Sequence, residues 1–133
     1  MALYLVTGGA GFIGSHIVHA LVARGDRVRV LDDFSSGRME NFTGLTVSEV
    51  GGEAQVELVR GNITVPSHCR RAVAGVDGVF HEAAQVSVPR SIESPVDSYE
   101  INVMGTLRLL EAARGANVPR FVFAASSAAY GNT

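Results

Sequence analysis

The chain contains no lysine, and all eleven of its basic residues are arginine. Its single cysteine, Cys69, excludes a disulfide framework and a multi-cysteine metal site. No window approaches 18 consecutive apolar residues, which excludes a transmembrane helix. An excess of one charge is missing as well: eleven basic and thirteen acidic residues, 11 − 13, give a net charge of −2. The two signs are interspersed, so the chain carries neither a basic footprint for nucleic acid nor an Arg-rich run for a membrane surface. Met1-Ala2-Leu3-Tyr4 opens a short apolar run with no basic region before it, which argues against a secretory signal and for a cytoplasmic location.

What is present is an ordinary globular composition, 47% hydrophobic and 18% charged over 133 residues, enough for one modest domain. Short apolar runs alternate with longer helical stretches, the pattern of parallel βαβ units. The runs Leu3–Thr7, Arg27–Leu31, Val56–Arg60, Gly78–Glu82 and Arg120–Ala125 read as strands. They are mostly continuous rather than alternating, as in strands covered by helices on both faces. Helices are expected at Phe12–Arg24, Pro66–Ala74 and Pro95–Asn117. The last has Ser94 as N-cap and Pro95 at the first position, and the spacing of Tyr99, Val103, Leu107 and Leu110 predicts one buried face. Residues 33–44 and the Gly51-Gly52 pair read as loop. The fold class is α/β, a doubly wound parallel sheet of five strands in the order 3-2-1-4-5.

Thr7-Gly8-Gly9-Ala10-Gly11-Phe12-Ile13-Gly14 lies between the first strand and the first helix and satisfies both GxGxxG and GxxGxxG. Residues without Cβ let backbone approach a pyrophosphate closely, and the helix N-terminus offers it unpaired N–H groups. Glycines also mark ordinary turns, but here a strand precedes, a helix follows, and Leu31-Asp32-Asp33 ends the second strand about twenty residues on. An Asp there accepts hydrogen bonds from the adenosine ribose hydroxyls and repels a 2′-phosphate, so NAD is expected over NADP. The plain alternative for Asp33 is a loop residue.

Five segments together resemble the extended short-chain dehydrogenase/reductase family, in its NAD-dependent epimerase/dehydratase branch, most like the UDP-glucose 4-epimerases and their N-acetylhexosamine relatives. They are Thr7–Gly14, LDDFSSGR at Leu31–Arg38, HEAAQVSVPRS at His81–Ser91, SYEINVMGTLRLLEAAR at Ser98–Arg114, and FVFAASSAAYG at Phe121–Gly131. The resemblance implies a Rossmann fold with NAD held by Gly8, Gly11, Phe12, Ile13 and Gly14 at the pyrophosphate and by Asp32 at the ribose, with Asp33, Ser36 and Gly37 nearby. Asn62, followed by Ile63, stands where the family usually has an Asp facing the adenine amine. Its carbonyl oxygen is expected to serve in that role. Ala83, Ala84 and Gln85 would line the nicotinamide side, with Asn102 anchoring the loop beneath it. Ser126 matches the catalytic serine, with Ser127 as the neighbouring register.

In the family, a tyrosine held as phenolate by a lysine takes the proton of the sugar 4-hydroxyl, and hydride passes to NAD and back through a 4-keto sugar. That pair belongs to a YxxxK motif beyond the serine. Tyr4, Tyr99 and Tyr130 are the only tyrosines here, and none has a lysine partner. The resemblance therefore implies residues 1–133 as the N-terminal part of the NAD-binding domain, truncated after the fifth strand, without the C-terminal substrate domain and inactive alone. Its last strand would be an uncovered apolar edge, and its Pro95–Asn117 helix, part of a helical dimer interface in the family, would lack a neighbour. A homo-oligomer is expected. A nucleotide-sugar dehydratase or decarboxylase, which more often carries Thr at the Ser126 position, and a non-catalytic dinucleotide-binding module stay open as alternatives.

Other signals carry less. His81-Glu82-Ala83-Ala84-Gln85 begins like HExxH but ends on Gln and sits at a strand end. His16 and His19 have no third ligand, and the sequons Asn41-Phe42-Thr43 and Asn62-Ile63-Thr64 mean nothing without a signal peptide. Arg70 and Arg71 beside Cys69 could lower its pKa, but a plain helix cysteine is the simpler reading.

Overall fold

The computed structural model describes residues 1–84 and 92–124. Strand β1 (Leu3–Thr7) leads into helix α1 (Phe12–Ala23), followed by β2 (Arg27–Asp32) and a short 3-10 turn at Met39–Phe42. Then come β3 (Val47–Glu49), β4 (Val56–Arg60), α2 (Pro66–Val73) and β5 (Gly78–His81). A helical stretch follows as α3 (Pro95–Tyr99), a π-helical segment (Glu100–Met104) and α4 (Gly105–Gly115), and β6 (Phe121–Phe123) closes the described chain.

The sheet order is β3-β4-β2-β1-β5-β6, with every pairing parallel. The five expected strands stand in the expected order. The difference is one additional strand, β3, whose three residues Val47, Ser48 and Glu49 extend the sheet beyond β4. Two half-exposed residues and one exposed residue at an edge carry no continuous apolar run, so periodicity could not mark them.

Alternate residues of the strands feed two cores. Val6, Val28, Val30 and Val56 pack with Val18 and Leu21 of α1 on one face. Leu5, Leu31, Val59 and Val79 pack with Cys69 and Val73 of α2 and Leu109 and Ala113 of α4 on the other. Both faces being covered explains why the strands read as unbroken apolar runs.

The expected single helix at 95–117 is interrupted, and its buried face differs from the one predicted. Tyr99, Val103, Leu107 and Leu110 are 42–56% exposed, whereas Leu109 is fully buried and Ala113 nearly so. The reason is size. Gly105 lies so close to Ile63 that a Cβ would come within 2.7 Å of it, and Ala112 and Ala113 continue that small face against the core. Close approach selects the small stripe, and the large apolar stripe points outward. Ser94 and Pro95 do begin α3, though the Ser94 side chain makes no capping bond. Val122 and Phe123 of the edge strand β6 are exposed.

Candidate functional site

All the strands end on one side, so the loops after β1, β2, β4 and β5 gather there, as ligand-binding loops do in open α/β sheets. They enclose a cleft of about 520 Å³. Its floor is the glycine turn. Gly8 adopts φ +67°, a left-handed conformation that glycine accepts at no steric cost. Its N–H donates to the Leu31 carbonyl (2.8 Å), which ties the turn to β2. A Cβ on Gly14 would overlap the Gly8 carbonyl oxygen, so α1 can start this close to the turn only with glycine there.

Gly11 differs from both. It has ordinary φ, and among the described residues a Cβ built on it would come near one atom, the Gly8 carbonyl oxygen at 3.3 Å, which would have to give by a few tenths of an ångström. Packing among the described residues therefore constrains position 11 far less than position 14, and Gly11 lines the cleft. Helix α1 begins at Phe12 with no side-chain cap, and its first 5→1 bond runs from Ser15 N–H to Gly11 O (2.9 Å). The N–H groups of Phe12, Ile13 and Gly14 thus have no intrahelical acceptor and sit at the positive end of the helix dipole. The exposed side chains of Phe12 and Ile13 flank the same opening.

Asp32 ends β2 almost fully buried. Its Oδ2 accepts from Ala10 N–H (3.0 Å) and its Oδ1 from Phe34 N–H (2.8 Å). A carboxylate has about four acceptor positions, so these bonds fix its orientation and leave two for a ligand. Phe34 holds its place with φ +60° and lies under the Arg60 guanidinium, 4.3 Å from the ring centroid. Asp33 and Ser36 line the cleft beside it.

Asn62 and Ile63 line the cleft after β4, and Ala83 and Ala84 line it after β5. The Asn62 carbonyl oxygen, expected to face a base, is engaged inside the protein by Thr64 N–H and Thr64 Oγ1–H, both at 2.9 Å. Gly37 packs against Ala10 and the Asp32 carboxylate, where a Cβ would come within 2.7 Å and 2.9 Å, and it supports the cleft from outside the lining. Asn102 is in the π segment, where its carbonyl accepts from Thr106 Oγ1–H (2.8 Å). Gln85, Ser126 and Ser127 lie outside the described residues. Sequence reasoning missed Leu31, Ser35, Gly61, Glu82 and Ile101 as lining residues. Ser35 and Gly61 adjoin recognised positions, whereas Ile101 arrives through the π segment, for which the sequence offers no periodic signal. Burial raises the Glu82 carboxyl above its ordinary range.

A buried chain of hydrogen bonds holds the β5 side in place. Thr106 Oγ1 donates to the Asn102 carbonyl, so it accepts from His81 Nε2–H (2.9 Å). Nδ1 of His81 then accepts from Thr7 Oγ1–H (2.6 Å), and Thr7 Oγ1 accepts from the N–H groups of Glu82 (3.0 Å) and Ala83 (3.1 Å). Every member is satisfied with His81 neutral, and burial pushes its pKa down to about 4. Between that value and the ordinary 6.5 the unfolded chain binds the proton and the folded chain does not. Stability is therefore complete above about pH 6.5 and falls by about 3 kcal/mol as the pH drops to 4. Urea unfolding at intervals across that range checks this, and a His81→Gln chain should lack that segment of the pH dependence.

Cys69 bonds through Sγ to the Ile63 carbonyl (3.1 Å), and burial pushes its pKa up to about 11, with Arg108 and Arg70 offsetting only part of the rise. It is a core thiol. His16 Nδ1 and His19 Nε2 bond the carbonyls of Phe12 (2.7 Å) and Asn41 (2.8 Å).

Residues 4–133 match the model of a family described as "NAD dependent epimerase/dehydratase family". The chain belongs to that family. It is 39% identical over 129 residues to UDP-glucose 4-epimerase of Azospirillum brasilense, covering 96% of this chain and 34% of that protein. It is 38% identical over 128 residues to UDP-glucuronic acid decarboxylase 1 of Arabidopsis thaliana, covering 96% of this chain and 27% of that protein. Among solved structures, UDP-glucose 4-epimerase of Thermus thermophilus in complex with NAD superposes with a TM-score of 0.79 at 43% identity, over 93% of this chain and 37% of that one. The chain thus spans about a third of the length of the family members it matches. Among the described residues, no helix is long and apolar enough to cross a membrane.

Proposed function

We propose that this chain binds NAD in the cleft and forms the cofactor-holding part of a nucleotide-sugar 4-epimerase. The observation that carries this reading is Gly11, where packing among the described residues leaves an opening beside three helix N–H groups without an intrahelical acceptor. The pyrophosphate takes those N–H groups, Asp32 takes the ribose hydroxyls, and Ala83 and Ala84 face the nicotinamide. Bound NAD supplies a hydride acceptor that is restored within each cycle. Ser126 is the proposed catalytic hydroxyl toward the sugar. The 133 residues hold no lysine, so the family's Tyr-Lys base is not among them. Assayed by themselves, they are expected to bind cofactor without turning a UDP-sugar over. The similarity to a UDP-sugar decarboxylase keeps that reaction as the second reading, since both enzymes share this part of the chain.

Calorimetric titration of NAD and NADP tests the reading. NADP is expected to bind at least tenfold more weakly, because a 2′-phosphate meets the Asp32 carboxylate. Asp32→Asn is expected to weaken NAD by about 10- to 100-fold, the range of a lost hydrogen bond to a charged group, and to narrow the gap between the two. NADP binding as tightly as NAD, or a folded chain that binds neither, would overturn it.

A further inference from the structure

We propose that Asn62 makes the base end of the cleft favour an oxo over an amino substituent at purine C6, so that 6-oxopurine dinucleotides bind more tightly than adenine dinucleotides. This inference rests on the NAD reading and adds a specificity to it. In a parallel sheet of this kind the pyrophosphate sits at the first helix and the ribose at the end of the second strand. The base therefore extends past Asp32 toward the next strand. Here that is β4, whose Arg60 is in register with Asp32 and whose following residues Gly61, Asn62 and Ile63 line the cleft.

The hydrogen-bond inventory of Asn62 decides what it can offer there. Its Oδ1 accepts from Thr64 N–H and Thr64 Oγ1–H, which uses both lone pairs. A backbone N–H can only donate, so this contact also fixes which end of the amide is oxygen. One Nδ2 hydrogen goes to Asp33 Oδ2 at 3.2 Å, and Asp33 Oδ1 is held in turn by Ser35 N–H at 3.0 Å. What remains for a base is one N–H donor and no acceptor.

Adenine presents an amino group at C6, whereas a 6-oxopurine presents a carbonyl oxygen. Facing the amino group, the Asn62 donor meets another donor and gains nothing. Facing the carbonyl, it makes a bond. A carboxylate at the same position would keep a lone pair for the amino group and reject the oxo base. The side chain is nearly isosteric with aspartate, and the occupied oxygen is what separates their selectivity.

The test is the ratio of dissociation constants for NAD and nicotinamide hypoxanthine dinucleotide, measured for the 133-residue chain and for two variants. The unmodified chain is expected to hold nicotinamide hypoxanthine dinucleotide more tightly than NAD by up to about tenfold, one net hydrogen bond. Asn62→Asp should shift the ratio toward NAD by about tenfold, one net hydrogen bond. Its carboxylate faces Asp33, so a second variant, Thr64→Val, frees a lone pair on Asn62 without adding charge. It should move the ratio the same way by a few fold. Equal binding or a preference for NAD in the unmodified chain, or a ratio that neither variant moves, overturns the inference while leaving the NAD reading in place. A folded chain that binds neither dinucleotide overturns both.

Discussion

Replacing Glu57 by glutamine is expected to lower the stability of the chain by about 3–5 kcal/mol, a large part of what a domain of this size has. Arg29 and Glu57 are cross-strand partners in β2 and β4, on the face covered by α2. Both side chains are at most 6% exposed, with Arg29 Nε donating to Glu57 Oε2 at 2.9 Å. Arg27 donates to the other carboxylate oxygen at 2.8 Å. The far end of Arg29 reaches the end of α2, where one nitrogen donates to the carbonyls of Ala72 (2.9 Å) and Ala74 (2.6 Å). The guanidinium therefore satisfies helix carbonyls that lack intrahelical donors, and Glu57 balances its charge. Removing the carboxylate charge leaves a buried cation with its main counter-ion gone, which is why the cost exceeds that of a surface pair. Urea unfolding at pH 7 reads it directly. A loss below about 1 kcal/mol would mean that water reaches the Arg29 guanidinium and takes over the role. Replacing both partners with Met and Leu should recover only part of the loss, because the desolvation of both charges disappears while the Ala72 and Ala74 carbonyls lose their donor.

Gly11→Ala and Gly14→Ala are expected to separate binding from folding. At Gly14 the added methyl overlaps the Gly8 carbonyl oxygen, so α1 must move off the turn. Overpacking of that kind costs about 1–3 kcal/mol and also disturbs the cleft. At Gly11 the backbone is ordinary and, among the described residues, the methyl meets the Gly8 oxygen alone at 3.3 Å, so stability should change by less than about 1 kcal/mol. The methyl does occupy the path of the pyrophosphate to the Phe12, Ile13 and Gly14 N–H groups. NAD affinity should therefore fall on the order of 100-fold. Thermal unfolding and NAD titration of the two variants check the contrast. A Gly11→Ala chain that binds NAD like the original would mean that the phosphates sit elsewhere.

Much of this is legible in the sequence, for identifiable reasons. The four central strands are continuous apolar runs because helices cover both faces, and the glycine turn is recognisable because a strand, a helix and Asp32 stand at the required spacing. The cleft gathers Gly8, Gly11, Asp32, Asn62 and Ala83 from four separate loops, an arrangement that the parallel order dictates. What stays hidden depends on contacts at long range. The buried Arg29 sits in a strand that reads as RVRVLD, and nothing local says that its charge is met by Glu57, 28 residues away. The outward-facing stripe of Tyr99, Val103, Leu107 and Leu110 has a correct helical period and the opposite burial, because Gly105 and its small neighbours decide which side packs. The occupied oxygen of Asn62 is a matter of one turn's hydrogen bonds, which residue identity alone does not specify.

The most direct measurement is an amide NMR spectrum of the chain with and without NAD. Binding in the cleft is expected to shift the amides of Gly8, Gly11 to Gly14, Phe34 and Ser35, Asn62 and Ile63, and Ala83, leaving α4 and the β3 edge unmoved. A well-dispersed spectrum that saturating NAD leaves unchanged, or shifts confined to other surfaces, would contradict the assignment of this cleft as the cofactor site.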